Sequence, residues 1–145
     1  MIDPRVYLSA TDTTIGFVSQ NAARLDAIKN RPPHKHYITA LPSLKALKER
    51  ARIPLAHACR VRRARRTTFV LPDGRSWRIV SSGKHHELIA RLGWAYTTSA
   101  NLSGRHWDEA WARTQADTVI EPLTPVTKHP SQIVRLGQSC MVRVR

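Results

Sequence analysis

The sequence predicts an α/β or α+β fold, organised as one domain around a twisted, mixed β-sheet with flanking helices. Three observations support this prediction. Segments with helical periodicity are interleaved with short apolar segments along the chain, and the second half is richer in strand-like segments. In addition, 145 residues with 41% hydrophobic side chains are enough to bury a core. The order of the strands does not follow from these patterns.

The first half of the chain alternates between strand and helix. The expected elements are strands over residues 6–8 and 37–41 and helices over residues 21–30 and 44–51. The first helix places Ala22, Leu25 and Ile28 on one face, and the prolines that follow it are expected to end it. Ser43 precedes the second helix and is expected to cap its N-terminus.

The second half contains more strand signals. The expected elements are strands over residues 67–71, 76–80, 92–96, 132–134 and 141–144 and helices over residues 84–92 and 107–116. The Asp73-Gly74 turn predicts that the first two of these strands form a hairpin. Trp107 and Trp111, four residues apart on the last helix, are expected to be core anchors.

The chain is strongly basic, with 24 Lys and Arg residues against 10 Asp and Glu residues and a net charge of +14. Such a charge attracts polyanions, including nucleic acid, nucleotides and anionic membranes, and the alternative is a basic but merely solvated surface. A cluster of five arginines contributes to it: Arg60, Arg62, Arg63, Arg65 and Arg66. This run is either a solvated face or a contact surface for phosphates that carries no sequence preference.

Cysteine and histidine usage argues against a disulfide scaffold or a metal site. Cys59 and Cys140 form no CxxC pair, which favours a reducing compartment. The histidines at 34, 36, 85 and 86 have no carboxylate or cysteine partner at ligand spacing. No segment resembles a signal peptide or a membrane span. We therefore expect a soluble, cytoplasmic protein with no membrane association and no resident metal.

Two stretches of small polar residues differ from the rest of the chain. Residues 97–104 have the sequence Thr-Thr-Ser-Ala-Asn-Leu-Ser-Gly, and residues 10–16 have the sequence Ala-Thr-Asp-Thr-Thr-Ile-Gly. The first can be a strand-to-helix turn with a capping side chain, or a concave anion site made of accessible N–H groups. Lys29 and Arg31 leave a similar choice, because two cations at a helix end can satisfy the dipole or clamp a phosphate.

Together these stretches resemble the motif series of the YrdC/YciO/YwlC family, whose best-known activity is L-threonylcarbamoyladenylate synthesis. Three matches carry the resemblance: Thr11-Asp12-Thr13 with Gly16, Lys29-x-Arg31-Pro32 with Lys35, and the Thr-Ser-Ala-Asn-Leu-Ser-Gly string over residues 98–104. Weaker matches extend it almost end to end: Thr68 with Leu71, Arg78, Pro130-Ser131 and Arg143. The Thr-Ser-Ala-Asn-Leu-Ser-Gly string is specific for this family in combination with Lys-x-Arg-Pro, and neither motif is specific alone.

The resemblance implies a YrdC-like α/β fold around a large basic cavity. The family reaction joins L-threonine, bicarbonate or CO2 and ATP into threonylcarbamoyl-AMP and pyrophosphate, with Mg2+ bound to the ATP. The product serves the N6-threonylcarbamoyladenosine modification of tRNA, which implies partner proteins of tRNA modification. Family members are also described as binding double-stranded RNA or tRNA.

The resemblance also implies a role for each matching residue on the nucleotide side. Lys29 and Arg31 would contact the ATP phosphates, and Lys35 would contact a phosphate or carboxylate. Ser99 and Asn101 would hold the phosphate and adenylate, and these two residues with Lys29 and Arg31 form the predicted catalytic set. The predicted ATP site is completed by Thr68, Ser131 and Arg143.

On the amino-acid side, Thr11, Thr13 and Thr98 would bind L-threonine, and Arg78 would pair with its carboxylate. We assign RNA binding to the five arginines between Arg60 and Arg66. The chain departs from the family pattern at a few positions: Ala10, Ile15, Gln132 and the Arg65-Arg66 pair, which stands where the family has Gly-Pro. It is also shorter than typical members.

Two functions of different classes follow. The first is an enzyme, a minimal threonylcarbamoyl-AMP synthase, and the second is an RNA-binding module of the same fold with weak or lost synthesis. A nucleotide-binding component of carbamoyl transfer is a third possibility. A pure RNA-binding module has no need of a small neutral pocket, so Thr11, Ser99 and Asn101 favour the enzyme. That hypothesis requires Lys29, Arg31 and the polar stretches to converge on one cleft.

Overall fold

The computed structural model describes residues 2–11, 13–30, 36–102, 104–124, 131–138 and 140–144. The strands in these ranges are β1 (Val6–Ala10), β2 (Ile15–Ser19), β3 (Ile38–Leu41), β4 (Thr67–Val70), β5 (Ser76–Ile79), β6 (Ala95–Ser99), β7 (Thr118–Ile120), β8 (Gln132–Leu136) and β9 (Met141–Arg143). The helices are α1 (Ala22–Lys29), α2 (Leu44–Arg50), α3 (Ala58–Arg63), α4 (Gly83–Leu92) and α5 (Glu109–Gln115), and a 3-10 turn over Leu55–His57 precedes α3.

All of these strands belong to one mixed sheet in the order β7-β1-β2-β6-β3-β5-β4-β8-β9. β1 runs parallel to β7, β3 to β5 and β4 to β8, and the other neighbouring pairs are antiparallel. The prediction of a mixed sheet with flanking helices is confirmed. The sheet interleaves strands that are distant in sequence, which periodicity alone does not reveal.

The helices pack on both faces of the sheet. Leu8 of β1 belongs to an apolar cluster with Leu25 of α1 and Ala112 of α5, whereas Tyr7 belongs to a cluster with Leu88 and Ile89 of α4. Because successive side chains of a strand point to opposite faces, α4 lies on the face opposite to α1 and α5. A third cluster forms under α2 and α3.

Several predicted elements are confirmed with their local signals. The Ser43 side chain accepts a hydrogen bond from Ala46 N at 3.1 Å and caps α2. β4 and β5 form the predicted antiparallel hairpin, with Phe69 opposite Trp77.

The described part of the chain has no helix of the length and apolarity that a bilayer crossing requires. The same residues hold no group of three or more His, Cys, Asp or Glu side chains suited to a metal.

Some local predictions are wrong. The strand predicted over residues 92–96 starts too early, because Leu92 completes α4 and Gly93 ends that helix with a φ of 86°. β6 begins only at Ala95, and it takes in the first residues of the polar stretch, so no helix starts there. The cap of α5 is Asp108 instead, whose side chain accepts from Trp111 N.

The prediction that both tryptophans of α5 are core anchors is half wrong. Trp111 packs edge-on against Phe17 at a centroid distance of 5.9 Å. Trp107 precedes the helix and is 44% exposed. Helical spacing predicted a shared face for the two rings, but the helix begins two residues later than expected, so the spacing does not apply to Trp107.

Candidate active site

The candidate site is a cavity of about 320 Å3 that we call the hydroxyl cavity. Its described lining comes from the β1–β2 turn and the start of β2, from the start of β3, from β5 and β6, and from the start of β8 with the residue before it. The polar lining residues are Thr11, Thr13, Thr14, Arg78, Thr97, Thr98, Ser99 and Ser131, and His36, Tyr37, Ile38, Ile133 and Gly16 complete it. This set contains the four residues that the resemblance assigned to L-threonine.

Strand register brings the two polar stretches together. β2 and β6 pair in antiparallel fashion with Gly16 opposite Ser99 and Phe17 opposite Thr98. A Cβ atom at Gly16 would lie 2.8 Å from the Thr98 carbonyl oxygen, which is closer than packed atoms tolerate. Only glycine at this position therefore lets the two strands approach at the floor of the cavity.

The turn between β1 and β2 is held by the Thr11 side chain. Its hydroxyl oxygen accepts hydrogen bonds from Thr13 N at 3.2 Å and Thr14 N at 3.1 Å, and Thr11 N donates to Thr14 O at 2.8 Å. Such side chain-to-backbone bonds are a common way for threonine to close a tight turn. The result is that the Thr13 hydroxyl points into the protein and lies 3.3 Å from that of Thr11.

Arg78 brings a positive charge into this polar region. It lies on β5, is 5% exposed and donates from Nη1 and Nη2 to the Thr13 hydroxyl at 3.4 Å each. On the neighbouring strand, Thr68 pairs in register with Arg78, and its hydroxyl lies 3.2 Å from the Ser131 hydroxyl. A buried guanidinium surrounded by hydroxyl groups is well suited to bind a small carboxylate.

Lys29 lies at the C-terminal end of α1 and is only 4% exposed. Its ammonium donates to Ser99 O at 2.7 Å and to Asn101 O at 2.8 Å. The Asn101 amide nitrogen in turn donates to Leu102 O and Arg105 O. Lys29, Ser99 and Asn101 therefore do meet at one place, and the ammonium of Lys29 holds the backbone that follows β6. The phosphate-binding role of Lys29 stays a prediction.

Arg31 and Lys35 fall outside the described residues, and the remaining predicted cationic residues lie away from the hydroxyl cavity. Arg143 is exposed on β9, at the edge of the sheet, and is not among the described residues that line the hydroxyl cavity. The five arginines from Arg60 to Arg66 are all exposed, three of them on α3 and two just after its C-cap residue, Ala64.

A second, larger cavity of about 840 Å3 adjoins the first, because Thr11 lines both. We call it the arginine cavity after three of its lining residues, Arg62, Arg65 and Arg66. His85 of α4 also lines it and is 2% exposed. Burial, with smaller contributions from the positive charges of Arg78 and His86, lowers the pKa of His85 from 6.5 to about 3. His85 is therefore neutral near pH 7.

No protein-family model matches the chain. An uncharacterized protein of Mycoplasma pneumoniae, the MG259 homolog, is 32% identical over 150 aligned positions, which cover 92% of this chain and 30% of the relative. The chain thus spans less than a third of the length of that curated relative.

Solved structures match the fold over nearly the whole chain. YciO of E. coli matches with a TM-score of 0.77 at 19% identity, over 98% of this chain and 82% of YciO. Sua5 of P. abyssi in complex with L-threonine matches with a TM-score of 0.83 at 18% identity, over 97% of this chain and 50% of Sua5. The MTH1692 protein of Methanobacterium thermoautotrophicum matches with a TM-score of 0.72 at 21% identity, over 97% of this chain and 79% of MTH1692.

The chain has the YrdC-like fold. This confirms the fold that the motif resemblance implied. Within the YrdC-like fold, the hydroxyl cavity also contains residues that the sequence did not single out as site residues, including Thr97 and Tyr37. Thr97 precedes Ser99 by two positions on β6, and strand alternation places such residues on one face, so this signal was present in the sequence.

His85 also lines a cavity that the sequence did not predict, because the His85-His86 pair suggests a metal role. His85, Leu88 and Ile89 are spaced at i, i+3 and i+4 on α4, and all three are buried. A lone polar residue on the apolar face of a helix is the signal that could have drawn attention to it.

Proposed function

We propose that this chain belongs to the YrdC/YciO/Sua5 family and acts as a threonylcarbamoyl-AMP synthase, with L-threonine bound in the hydroxyl cavity. The observation that carries the proposal is the meeting of Arg78, the Thr11–Thr14 turn and the end of β6 in one cavity. The similarity in fold to Sua5, whose structure contains L-threonine, supports it.

The chemistry of the lining matches an amino acid. The Arg78 guanidinium would bind the threonine carboxylate through its planar fork of donors. The hydroxyl groups of Thr97 and Ser99 are both donors and acceptors, so they can bind the amino or hydroxyl group of the substrate. Since Thr13 already binds Arg78, the guanidinium is oriented before the substrate arrives.

The proposed reaction needs no nucleophile from the protein. Threonine and bicarbonate form a carbamate with loss of water, and a carbamate oxygen attacks the α-phosphorus of ATP. The bond between the α-phosphorus and the bridging oxygen to the β-phosphorus breaks, and pyrophosphate leaves. Catalysis of this kind depends on positioning and on neutralising phosphate charge. Mg2+ would enter with ATP, held by phosphate oxygens and water, and neutral hydroxyl oxygens are compatible with it.

In this proposal Lys29 is a positioning residue for the loop after β6. Its two hydrogen bonds fix the backbone at Ser99 and Asn101, which the motif resemblance assigns to the nucleotide. Residues fixed in this way lose little conformational entropy when a ligand binds. Arg31 and Lys35, which the resemblance assigns to phosphates, belong to the same proposal.

The test is pyrophosphate release by the purified chain with ATP, Mg2+, L-threonine and bicarbonate. Ser99→Ala removes one exposed hydroxyl from the cavity and should lower kcat/KM at least tenfold. Ser76→Ala is the matched control, because Ser76 lies on β5 outside the hydroxyl cavity. Absence of threonine-dependent pyrophosphate release from the unmodified protein would refute the proposal that the chain is a threonylcarbamoyl-AMP synthase.

The exposed arginines favour a second candidate function, a tRNA- or double-stranded-RNA-binding module of the same fold. Arg60, Arg62 and Arg63 lie on one short helix, and Arg65 and Arg66 follow it after one residue. In the described ranges none of these five side chains forms an ion pair with a carboxylate. Their charges therefore face solvent, as phosphate contacts require.

Salt dependence tests this second candidate. Affinity for a short RNA duplex should fall steeply with salt, and Arg60→Ser with Arg63→Ser should reduce the slope of log K against log salt by about two. Arg91→Ser and Arg105→Ser remove two exposed arginines from other segments and form the control. An unchanged slope in the α3 variant would exclude this surface as the RNA site.

A further inference from the structure

The arginine cavity has features of a binding site that the proposed synthesis does not use. Its volume of about 840 Å3 lies in the range of pockets that hold small organic ligands. Four cationic residues line it: Arg62, Arg65, Arg66 and Lys84. Among the described lining residues none carries a carboxylate. The electrostatic potential inside the cavity therefore favours an anion.

The N-terminus of α4 opens into the same cavity, through Ser82, Gly83 and Lys84. This ten-residue helix differs from α1, α2 and α5, which are capped by the side chains of Asn21, Ser43 and Asp108. Ser82 occupies the capping position of α4 but makes no side-chain cap hydrogen bond. The first amide groups of α4 therefore lack a side-chain acceptor, and such groups bind phosphate well.

His85 is an independent indication that the cavity receives a ligand. It is 2% exposed, and neither imidazole nitrogen has a hydrogen-bond partner within the described ranges. Leaving a buried donor and a buried acceptor unsatisfied is costly, so this arrangement is best explained by an occupant of the cavity. A neutral imidazole offers one donor and one acceptor, which suits a hydroxyl or a heterocyclic nitrogen.

We propose that the arginine cavity binds a small phosphate-bearing molecule of about nucleotide size, with a phosphate between the N-terminus of α4 and Arg65-Arg66 and with His85 bonded to its uncharged part. The charges and the helix terminus select the phosphate. A bulky RNA strand is a poorer fit, because a side chain as buried as His85 is reached only by small groups. This site is additional to the hydroxyl cavity and goes beyond the proposed synthesis.

The test uses pyrophosphate and AMP as probes on the full chain. Calorimetry should detect binding, and the His85 imidazole signals in 15N NMR should shift as AMP is added. Arg65→Ser with Arg66→Ser should weaken pyrophosphate and AMP binding at least tenfold. Arg60→Ser with Arg63→Ser removes the same charge from the same segment, but neither residue lines the cavity, so it should change binding less than twofold.

Several outcomes would overturn the proposal. They are an absence of probe binding, binding without a change at His85, and equal weakening in the two double variants, which would indicate a diffuse cationic surface of the kind that RNA uses. Ser99→Ala separates this proposal from the synthesis, because it should lower pyrophosphate release in the enzyme assay and leave AMP binding at the arginine cavity intact. Loss of that binding in Ser99→Ala would place the probe in the hydroxyl cavity and reject the second site.

Discussion

The hydroxyl cavity and the arginine cavity share Thr11 in their walls but are constructed differently. The first is made mainly by side chains at strand ends and in a tight turn, and its polar groups form hydrogen bonds with one another within the protein. The second is made by helix ends, strand ends and the segments that follow them, with exposed arginines and the start of α4, which no side chain caps. The comparison indicates a preorganised site beside one whose polar groups await a ligand.

The largest expected effect concerns the backbone at the end of β6, next to the hydroxyl cavity, which Lys29 stabilises. Lys29→Met removes two short hydrogen bonds from a buried ammonium to backbone carbonyl groups, and the free energy of unfolding should fall by about 4 kcal/mol, since hydrogen bonds to charged groups contribute most. The measurement is urea denaturation without nucleotide. Lys45→Met is the control, because Lys45 is exposed on α2. Equal stability of the Lys29→Met and Lys45→Met variants would mean that Lys29 serves the ligand and not the loop.

The next effect tests the close approach of β2 and β6. Gly16→Ala places a methyl group 2.8 Å from the Thr98 carbonyl oxygen, so the free energy of unfolding should fall by about 2 to 3 kcal/mol and the proposed binding of L-threonine should be lost. Gly137→Ala meets its nearest atom at 3.4 Å and serves as the control for an added methyl group. If threonine binding survives in Gly16→Ala, the floor of the cavity adapts and the claim of preorganisation is wrong.

The contrast between the cavities also explains what the sequence could predict. The residues of the hydroxyl cavity were found because Thr11, Thr13 and residues 97–101 form unusual small-polar stretches, each visible locally. Their meeting depends on β2, which the sequence did not reveal because its second residue is Gly16 and it directly follows the small-polar stretch. The run from Leu92 to Tyr96 misled because apolar content alone does not separate the end of a helix from the start of a strand.

The arginine cavity could not be predicted in the same way. Its wall combines the residues after α3, the start of α4 and the residues after β1, and no local pattern shows that these segments meet. The sequence shows the charge of Arg65-Arg66 but not whether these side chains line a cavity. A charged run on the open surface and one at the mouth of a cavity can have the same sequence. His85 shows the same limit, since its burial without a partner depends on tertiary packing.

The pH dependence of stability tests the buried imidazole at this second cavity. The pKa of His85 is lowered from 6.5 to about 3 in the folded protein. Between these values the unfolded chain binds a proton that the folded chain does not, so stability is lost as pH falls below 6.5. The expected loss between pH 7.5 and 5 is about 2 kcal/mol. This loss of stability should disappear in His85→Gln. It should persist in His86→Gln, because the His86 ring already has a hydrogen-bond partner in Val80 O. A flat profile in the unmodified protein would show that His85 has solvent or another partner.

The smallest effect compares two serines that both line the arginine cavity at helix N-termini. Ser43→Ala removes the cap hydrogen bond to Ala46 N and should lower the free energy of unfolding by about 1 kcal/mol. Ser82→Ala should leave stability nearly unchanged, because its side chain makes no cap bond to α4. If both variants lose the same stability, then Ser82 does cap α4. Its amide groups would then be satisfied by the protein itself, and the helix terminus would no longer distinguish this cavity from an ordinary basic cleft.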